Sequence, residues 1–364
     1  MKSTKFQFTR HLLSCNNINE GKLFGKNFEP GATIYGIFET IKYAQREEQK
    51  KYFTFNHVYV SNLYRTWITA FLLYGTNLSP TDTLNIYISP FLKEELQYGI
   101  IKHGNFPKKI SIMSKKFLAF LDQMYMFCME NKNLEEINKL YTANNRKVWY
   151  KSLPTTIVLT LPPGKFGNIQ TIVYKKQKNN INSCYELTSF YKIEDTAGPS
   201  SGTEFTQTGN LQKFMEWYNS PQNYYGNQNE KRGTSSIVNI VSHSRIMRAH
   251  LSKFTTTLND LPFNIDDDII GLKDIRNSNT WHFITNENKI NQKPKSISYL
   301  TNNFDLQKGV PSKSIRGIAK SLEINLKSYS LCSKKGKTSS AKEIYNKTTS
   351  KKTLKSYCNK PKKI

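Results

Sequence analysis

Cysteine is scarce in this sequence, and its spacing argues against two common uses. The five cysteines are an odd number, and no two of them have the Cys-x-x-Cys spacing of a zinc site or redox motif. We therefore expect neither a disulfide framework nor a zinc knuckle, and a reducing, intracellular and cytoplasmic location. The cysteines are Cys15, Cys128, Cys184, Cys332 and Cys358.

Long apolar runs are lacking as well. The most apolar stretch, residues 67–74, is far shorter than the ~20 residues that a membrane span needs. Residues 1–8 are too short and too charged to resemble a signal peptide. The sequence therefore predicts no membrane contact.

Acidic residues are half as frequent as basic ones. There are 27 Asp and Glu against 53 Lys and Arg, which gives a formal net charge of +26. Half of this excess lies between Lys313 and Lys363, where fifteen basic residues face only Glu323 and Glu343. Such a composition predicts a basic, low-complexity, disordered tail over residues 286–364 and an attraction to polyanions.

The remaining 285 residues have the patterns of one large α/β domain. Period-two alternation and short apolar runs predict strands, and the spacing of apolar residues between them predicts helices. Residues 152–235 are richer in β-type runs and polar loops, which indicates an insertion into that domain. The expected strands, all in one mainly parallel sheet flanked by helices, are Lys5–Thr9, Val58–Ser61, Leu84–Ile88, Ile237–Ser242 and Trp281–Ile284.

An Arg-His pair follows the first predicted strand. Phe6 and Phe8 lie on one face of that strand, and Arg10 and His11 follow them at the start of a polar loop. In open α/β sheets, ligands bind beyond the carboxyl ends of the strands. Arginine offers a rigid fork of donors for phosphate, and histidine can act as a nucleophile or acid–base group near neutral pH.

Three further segments supply groups of the same kind. Arg65 lies near the start of a helix that follows a short strand, and a helix amino terminus with an arginine is an anion site. Glu94 and Glu95 follow the strand that contains Ile86 and Ile88. His243 ends the apolar strand that begins near Ser236.

Taken in order, these motifs resemble the histidine phosphatase (phosphoglycerate mutase-like) superfamily. The residues that carry the resemblance are Arg10-His11 with Ser14 and Asn17, Ser61-x-Leu63-x-Arg65-Thr66 with Thr69-Ala70, Leu92-Lys93-Glu94, and Val241-Ser242-His243-Ser244. The resemblance implies a three-layer α/β sandwich with a mainly parallel central sheet over residues 1–285. This chain departs from the family at Leu12, Leu13 and Ser244, where glycine or glutamate is common.

The resemblance also implies a reaction and a set of residues. It makes the chain a metal-independent phosphoric monoester hydrolase, with no cofactor, that acts on a phosphorylated small molecule or phosphoprotein. His11 is then the nucleophile that forms a phosphohistidine, and Glu94, rather than Glu95, is the general acid. The groups that would hold the phosphoryl oxygens are Arg10, Arg65 and His243, with hydrogen bonds from Asn17 and Ser14.

Two other functions remain open from the sequence. A phosphoglycerate mutase-like phosphotransferase would use the same pocket, whereas a basic scaffold on a phosphatase fold would bind nucleic acid or acidic partners. Among the other histidines, His103 is a further candidate for ligand contact, because its region lines the pocket of the resembling family. We expect His57, His250 and His282 to be structural.

Overall fold

The fold is known from a computed structural model of the chain. It describes residues 3–14, 32, 34–93, 110–129, 138, 141–161, 170–176, 184–190, 211–218, 235–251, 278, 280–286 and 296–300. Within these residues nine strands form one sheet, in the order β6-β5-β4-β3-β2-β7-β1-β8-β9. The strands are β1 (Ser3–Arg10), β2 (His57–Ser61), β3 (Thr83–Ser89), β4 (Thr156–Leu161), β5 (Gln170–Lys176), β6 (Tyr185–Phe190), β7 (Ser235–Ser242), β8 (Thr280–Asn286) and β9 (Ser296–Leu300).

Seven α-helices lie within the described residues. They are α1 (Ile34–Ala44), α2 (Glu47–Lys50), α3 (Tyr64–Gly75), α4 (Ile110–Met129), α5 (Ala143–Ser152), α6 (Leu211–Tyr218) and α7 (Ser244–Leu251), and a short 3-10 helix spans Pro90–Leu92. The alternation along β2 shows how they pack. Val58 and Val60 join the apolar core formed with α1, α3, α4 and α5, whereas Tyr59 joins the core formed with α6 and α7. Helices therefore cover both faces of the sheet.

The middle of the sheet is parallel, and this part positions the candidate site. β7 pairs in parallel with both β1 and β2, and β3 lies between β2 and β4 with parallel pairing on both sides. The carboxyl ends of these strands consequently meet at one edge. Arg10 at the end of β1 lies opposite Ser242 at the end of β7, so His11 and His243 leave adjacent strands at the same level.

The expectation of a mainly parallel sheet is wrong, because the sheet is mixed. All five predicted strands are present in it, but β8 runs antiparallel to β1, and β9 runs antiparallel to β8. At the other edge, β4, β5 and β6 form antiparallel pairs. The alternation of apolar residues identifies a buried strand but not its direction, which depends on how the connecting chain crosses the sheet.

Helix α3 lies at the centre of one apolar core. All of its residues from Tyr64 to Gly75 are buried. The helix starts where Thr66 Oγ1 donates to the carbonyl of Leu63 at 2.7 Å, and Trp67 Nε1 donates to the carbonyl of Ser61 at 3.0 Å. These bonds use side chains to fix the strand-to-helix turn that carries Arg65.

Three observations bear on the remaining predictions from the sequence. β9 lies inside residues 286–364, where the sequence predicted no strand; residues 301–364 lie outside the described part, and the domain division stays a prediction. Cys184 is disulfide-bonded, whereas Cys128 is a free, buried thiol. An odd number of widely spaced cysteines argues against a framework of several disulfides. It gives no information about one disulfide between cysteines that are far apart in the sequence. No described helix combines the length and the apolar character required to cross a membrane.

Candidate active site

His11 is held by backbone groups directly after β1. Its N–H donates to the carbonyl of Ser242 at 2.9 Å, which extends the β1–β7 pairing by one residue. His11 is 4% exposed, and its Nδ1 lies 2.7 Å from the carbonyl oxygen of Leu12. A carbonyl can only accept, so Nδ1 carries the proton of this hydrogen bond. In the neutral ring, Nε2 then carries no proton and has the lone pair that a nucleophile needs.

The backbone that orients His11 is itself fixed by α3. The N–H of Leu12 donates to Thr69 Oγ1 at 2.9 Å, and Thr69 Oγ1 donates to the carbonyl of Arg65 at 2.7 Å. Because Thr69 and Arg65 lie one turn apart on α3, this helix holds both Arg65 and the backbone of Leu12, the residue after His11.

His243 lies beside His11 and is fully buried. The two ring centroids are 5.2 Å apart, with an angle of 59° between the ring planes. His243 Nε2 lies 2.8 Å from Ser61 Oγ, and its Nδ1 lies 3.2 Å from Arg65 Nη2. Both ring nitrogens are thus contacted by side chains from the strand end and helix start of the β2–α3 unit.

Arg65 brings a positive charge to this pair of histidines. It is the second residue of α3, and 3% of its side chain is exposed. The guanidinium is always charged and only donates, and it lies in the first turn of a helix, where the N–H groups also favour an anion. The arrangement combines an imidazole with an available lone pair, a second imidazole and a buried cation.

Arg10 and Ser14, two further predicted site residues, also lie in the described part of the chain. Arg10 is half-buried, lies opposite Ser242, and its carbonyl accepts a hydrogen bond from the N–H of Ser278 at 3.1 Å. Ser14 is buried and pairs with Ala32 through an isolated bridge. Backbone position brings Arg10 next to His11, whereas side-chain contacts join His11, Arg65 and His243.

Four predicted or alternative residues lie outside the described part of the chain: Asn17, Glu94, Glu95 and His103. The chain immediately before Glu94 is described, however. Ser242 Oγ donates to the carbonyl of Leu92 at 2.6 Å, which ties this segment to the residue before His243. Lys93 is buried, and the loss of solvation lowers its pKa.

The histidines predicted to be structural lie in other surroundings. His57 begins β2, at the opposite end from Ser61, and His250 is buried in α7. His282 pairs with Gln7 across the β1–β8 ladder, and its ring lies 4.5 Å from that of Tyr52. Burial, together with the nearby Lys5 ammonium, lowers the pKa of His282 to about 4.

Sequence reasoning missed the roles of two hydroxyls. Ser61 contacts His243, and Thr69 contacts the loop of His11, but neither was predicted to belong to the site. Thr69 lies four residues after Arg65, on the same face of α3, and this spacing is a usable signal for Thr69. Ser61 ends β2, before the helix begins, so helix spacing gives no signal for it. In the described part of the chain, no group of three or more His, Cys, Asp or Glu side chains is arranged to hold a metal ion.

Comparisons with known proteins add little to this geometry. No family model matches the chain, and no curated protein matches it. Among solved structures, it is similar to a mutant phosphoserine phosphatase from Entamoeba histolytica in complex with phosphoserine, with 14% identity and a TM-score of 0.33. The match covers 82% of this chain and 98% of that chain. A TM-score at this level carries no argument, so membership of the histidine phosphatase superfamily stays a prediction.

Proposed function

We propose that the protein is a metal-independent phosphoric monoester hydrolase that acts through a phosphohistidine on His11. One observation carries this proposal. His11 has its Nδ1 engaged by the Leu12 carbonyl, and its ring lies 5.2 Å from that of His243, which Arg65 contacts. A nucleophile in the required tautomer next to buried donors is what transfer of a phosphoryl group needs.

The first step forms the covalent intermediate. The lone pair of His11 Nε2 attacks phosphorus, and the bond from phosphorus to the ester oxygen breaks on the opposite side. The leaving oxygen takes a proton from the carboxyl group of Glu94. Arg65, Arg10 and His243 hold the phosphoryl oxygens and offset the negative charge, with hydrogen bonds from Asn17 and Ser14.

The second step returns the enzyme to its starting state. Water attacks the phosphohistidine, the Glu94 carboxylate accepts a proton from that water, and the bond between phosphorus and Nε2 breaks. Nδ1 keeps its proton throughout, because the Leu12 carbonyl accepts it. No metal and no cofactor takes part in this scheme. A mutase would differ only in the acceptor, which would be a hydroxyl of the substrate instead of water.

Covalent labelling of the protein tests the nucleophile. The purified protein is first screened for phosphate release, without added metal, on sugar phosphates, nucleotides, inositol phosphates and phosphopeptides. A substrate from this screen that is labelled in its phosphate should leave a label that is labile in acid and stable in base, because a phosphoramidate hydrolyses in acid. His11→Ala should lose both the label and the turnover, since no other group of the site can replace the attacking imidazole.

Controls separate this proposal from its rivals. His282→Gln changes a histidine outside the site and should keep both the label and the turnover. Full turnover in a folded His11→Ala variant would refute the mechanism. Transfer of the label within the substrate without phosphate release would indicate a mutase, and a wild type that turns over no ester would favour the binding scaffold.

A further inference from the structure

Ser61 contacts His243 at Nε2, whereas Arg65 contacts the other ring nitrogen, Nδ1. It ends β2 and is fully buried. Its Oγ lies 2.8 Å from His243 Nε2, and it also accepts a hydrogen bond from the N–H of Leu63 at 3.0 Å. The hydroxyl therefore connects the turn before α3 to the ring of a histidine that lies 182 residues further along the chain.

The contacts of His243 determine which of its nitrogens carries the proton. Arg65 Nη2 can only donate, so Nδ1, at 3.2 Å, must accept. In the neutral ring the proton then lies on Nε2, and it points at Ser61 Oγ. Ser61 is consequently an acceptor for His243 as well as for Leu63. His243 is fully buried, so without the Ser61 hydroxyl its Nε2–H would have no contact with bulk water, which is unfavourable.

We infer that Ser61 is a positioning residue, which holds His243 in the tautomer with Nε2 protonated and so presents Nδ1 to the side of Arg65. The tautomer follows from the hydrogen bonds alone. The catalytic consequence rests on the proposed function: a phosphoryl oxygen that enters between Arg65 and His243 takes over the donor of Arg65, and His243 binds this oxygen as the imidazolium, whose Nδ1–H donates to it while Nε2–H still donates to Ser61. Ser61 itself touches neither the substrate nor the reacting atoms in this scheme.

Removal of the hydroxyl should weaken this arrangement without removing any charged group. In Ser61→Ala the Nε2–H of His243 is left in a buried site without its acceptor, and the ring loses the contact that fixes its orientation. A buried donor without its acceptor is unfavourable, because it has lost its hydrogen bonds to water and makes none in the protein. We therefore expect kcat/KM to fall by ~10–100-fold, with most of the loss in kcat if the correct ring position is needed chiefly in the transition state.

The experiment compares Ser61→Ala with Ser89→Ala. Ser89 is the register partner of Ser61 on β3, is fully buried, and its hydroxyl has no hydrogen bond among the described residues. Nitrogen and proton NMR of the His243 ring, assigned with His243→Gln, should show the Nε2-protonated tautomer in the wild type and in Ser89→Ala. In Ser61→Ala the Nε2–H signal should move and exchange faster with solvent.

The outcomes distinguish this inference from the proposed function. A wild-type His243 protonated on Nδ1, or identical His243 spectra in Ser61→Ala and Ser89→Ala, would overturn the inference whether or not the protein is an enzyme. If the wild type turns over an ester through His11 but Ser61→Ala is as active as Ser89→Ala, the positioning role fails and the mechanism stands. If no ester is turned over, the mechanism fails and the NMR comparison still decides the tautomer.

Discussion

Asp122 is an acidic residue in a buried environment that disfavours its charged form. It lies on α4, and 6% of its side chain is exposed. Burial, and to a smaller extent the Glu186 carboxylate, raises its pKa to about 7. One oxygen, Oδ1, has no hydrogen bond among the described residues. The folded protein therefore tolerates this side chain best when it is protonated.

The pH dependence of stability should reveal this group. The pKa is higher in the folded state than the unfolded value of 3.8, so the stability gained by proton binding is complete below about pH 4 and is lost as the pH rises to about 7. Asp122→Asn removes the charge, and its free energy of unfolding should exceed that of the wild type by ~1–3 kcal/mol at pH 8 but not at pH 4. Denaturant unfolding at both pH values measures this. A difference of equal size at pH 4 and pH 8 would contradict the assignment.

The sequence predicted His11, Arg65 and His243 as members of one site, and the structure places these three side chains together. Their positions at two strand ends and a helix start account for this proximity, because such positions meet at one edge of an α/β sheet. That the three residues form an active site stays a prediction. The role of Ser61 could not be predicted in the same way. Its hydroxyl contacts His243 only for one register between β2 and β7, and the residue types at this site do not specify that register.

Helix α3 acts as the support of both histidines. Thr69 accepts a hydrogen bond from the loop of His11, while Arg65, one turn earlier, contacts His243. Thr76, near the end of the helix, makes the same kinds of bond away from the site. Its hydroxyl donates to the carbonyl of Leu72 and accepts from Trp149 Nε1 at 2.9 Å. Thr69 and Thr76 thus have matched local roles but different neighbours.

This pair of threonines provides a test of the support. Thr69→Val and Thr76→Val each remove one hydroxyl with little change of volume, and each leaves one buried N–H without its acceptor. Both variants should lose ~1–3 kcal/mol of stability. Only Thr69→Val should also lose activity, by ~10–100-fold in kcat/KM, because a small displacement of His11, the proposed nucleophile, is enough. Steady-state kinetics and denaturant unfolding of the two variants are the measurements. Equal activity in both would show that the Leu12 contact does not orient His11.

At the level of strands and helices, the sequence predicted which segments are regular but not how they run. β1, β2, β3, β7 and β8 were expected as strands, and all are present. The expected direction of β8 was wrong, because a buried strand has apolar residues whether it runs parallel or antiparallel to its neighbour. Between β1 and β2 the chain forms two helices, α1 and α2, with Gln45 and Arg46 between them.

Charge is distributed unevenly over the whole molecule. Residues 331–364 contain eleven lysines and one acidic residue, Glu343. All the described strands and helices lie before this segment, and the last of them, β9, ends at Leu300. The lysines can therefore be removed without removal of any described element.

Deletion of residues 331–364 should separate binding to polyanions from the chemistry. Turnover of a small phosphate ester should remain nearly unchanged, because His11, Arg65 and His243 all lie before this segment, next to the ends of β1 and β7 and at the start of α3. Retention on an immobilised polyanion should fall, and its dependence on salt should become weaker, since fewer counterions are released. Ester kinetics and salt elution of both forms measure this. Loss of ester turnover in a folded truncated protein would show that the segment belongs to the site.

The position of β1 has a consequence for folding during synthesis. Ser3 pairs with Ser235 on one side and with Asn286 on the other, so β1 is synthesised long before either neighbour, β7 or β8, and stays unpaired until they have left the ribosome. At typical rates of synthesis this delay is on the order of 10–60 seconds. During that time Phe6, Phe8 and the unpaired backbone of β1 are exposed to chaperones and to other nascent chains. The segment that carries His11 is thus among the last parts of the sheet to be paired.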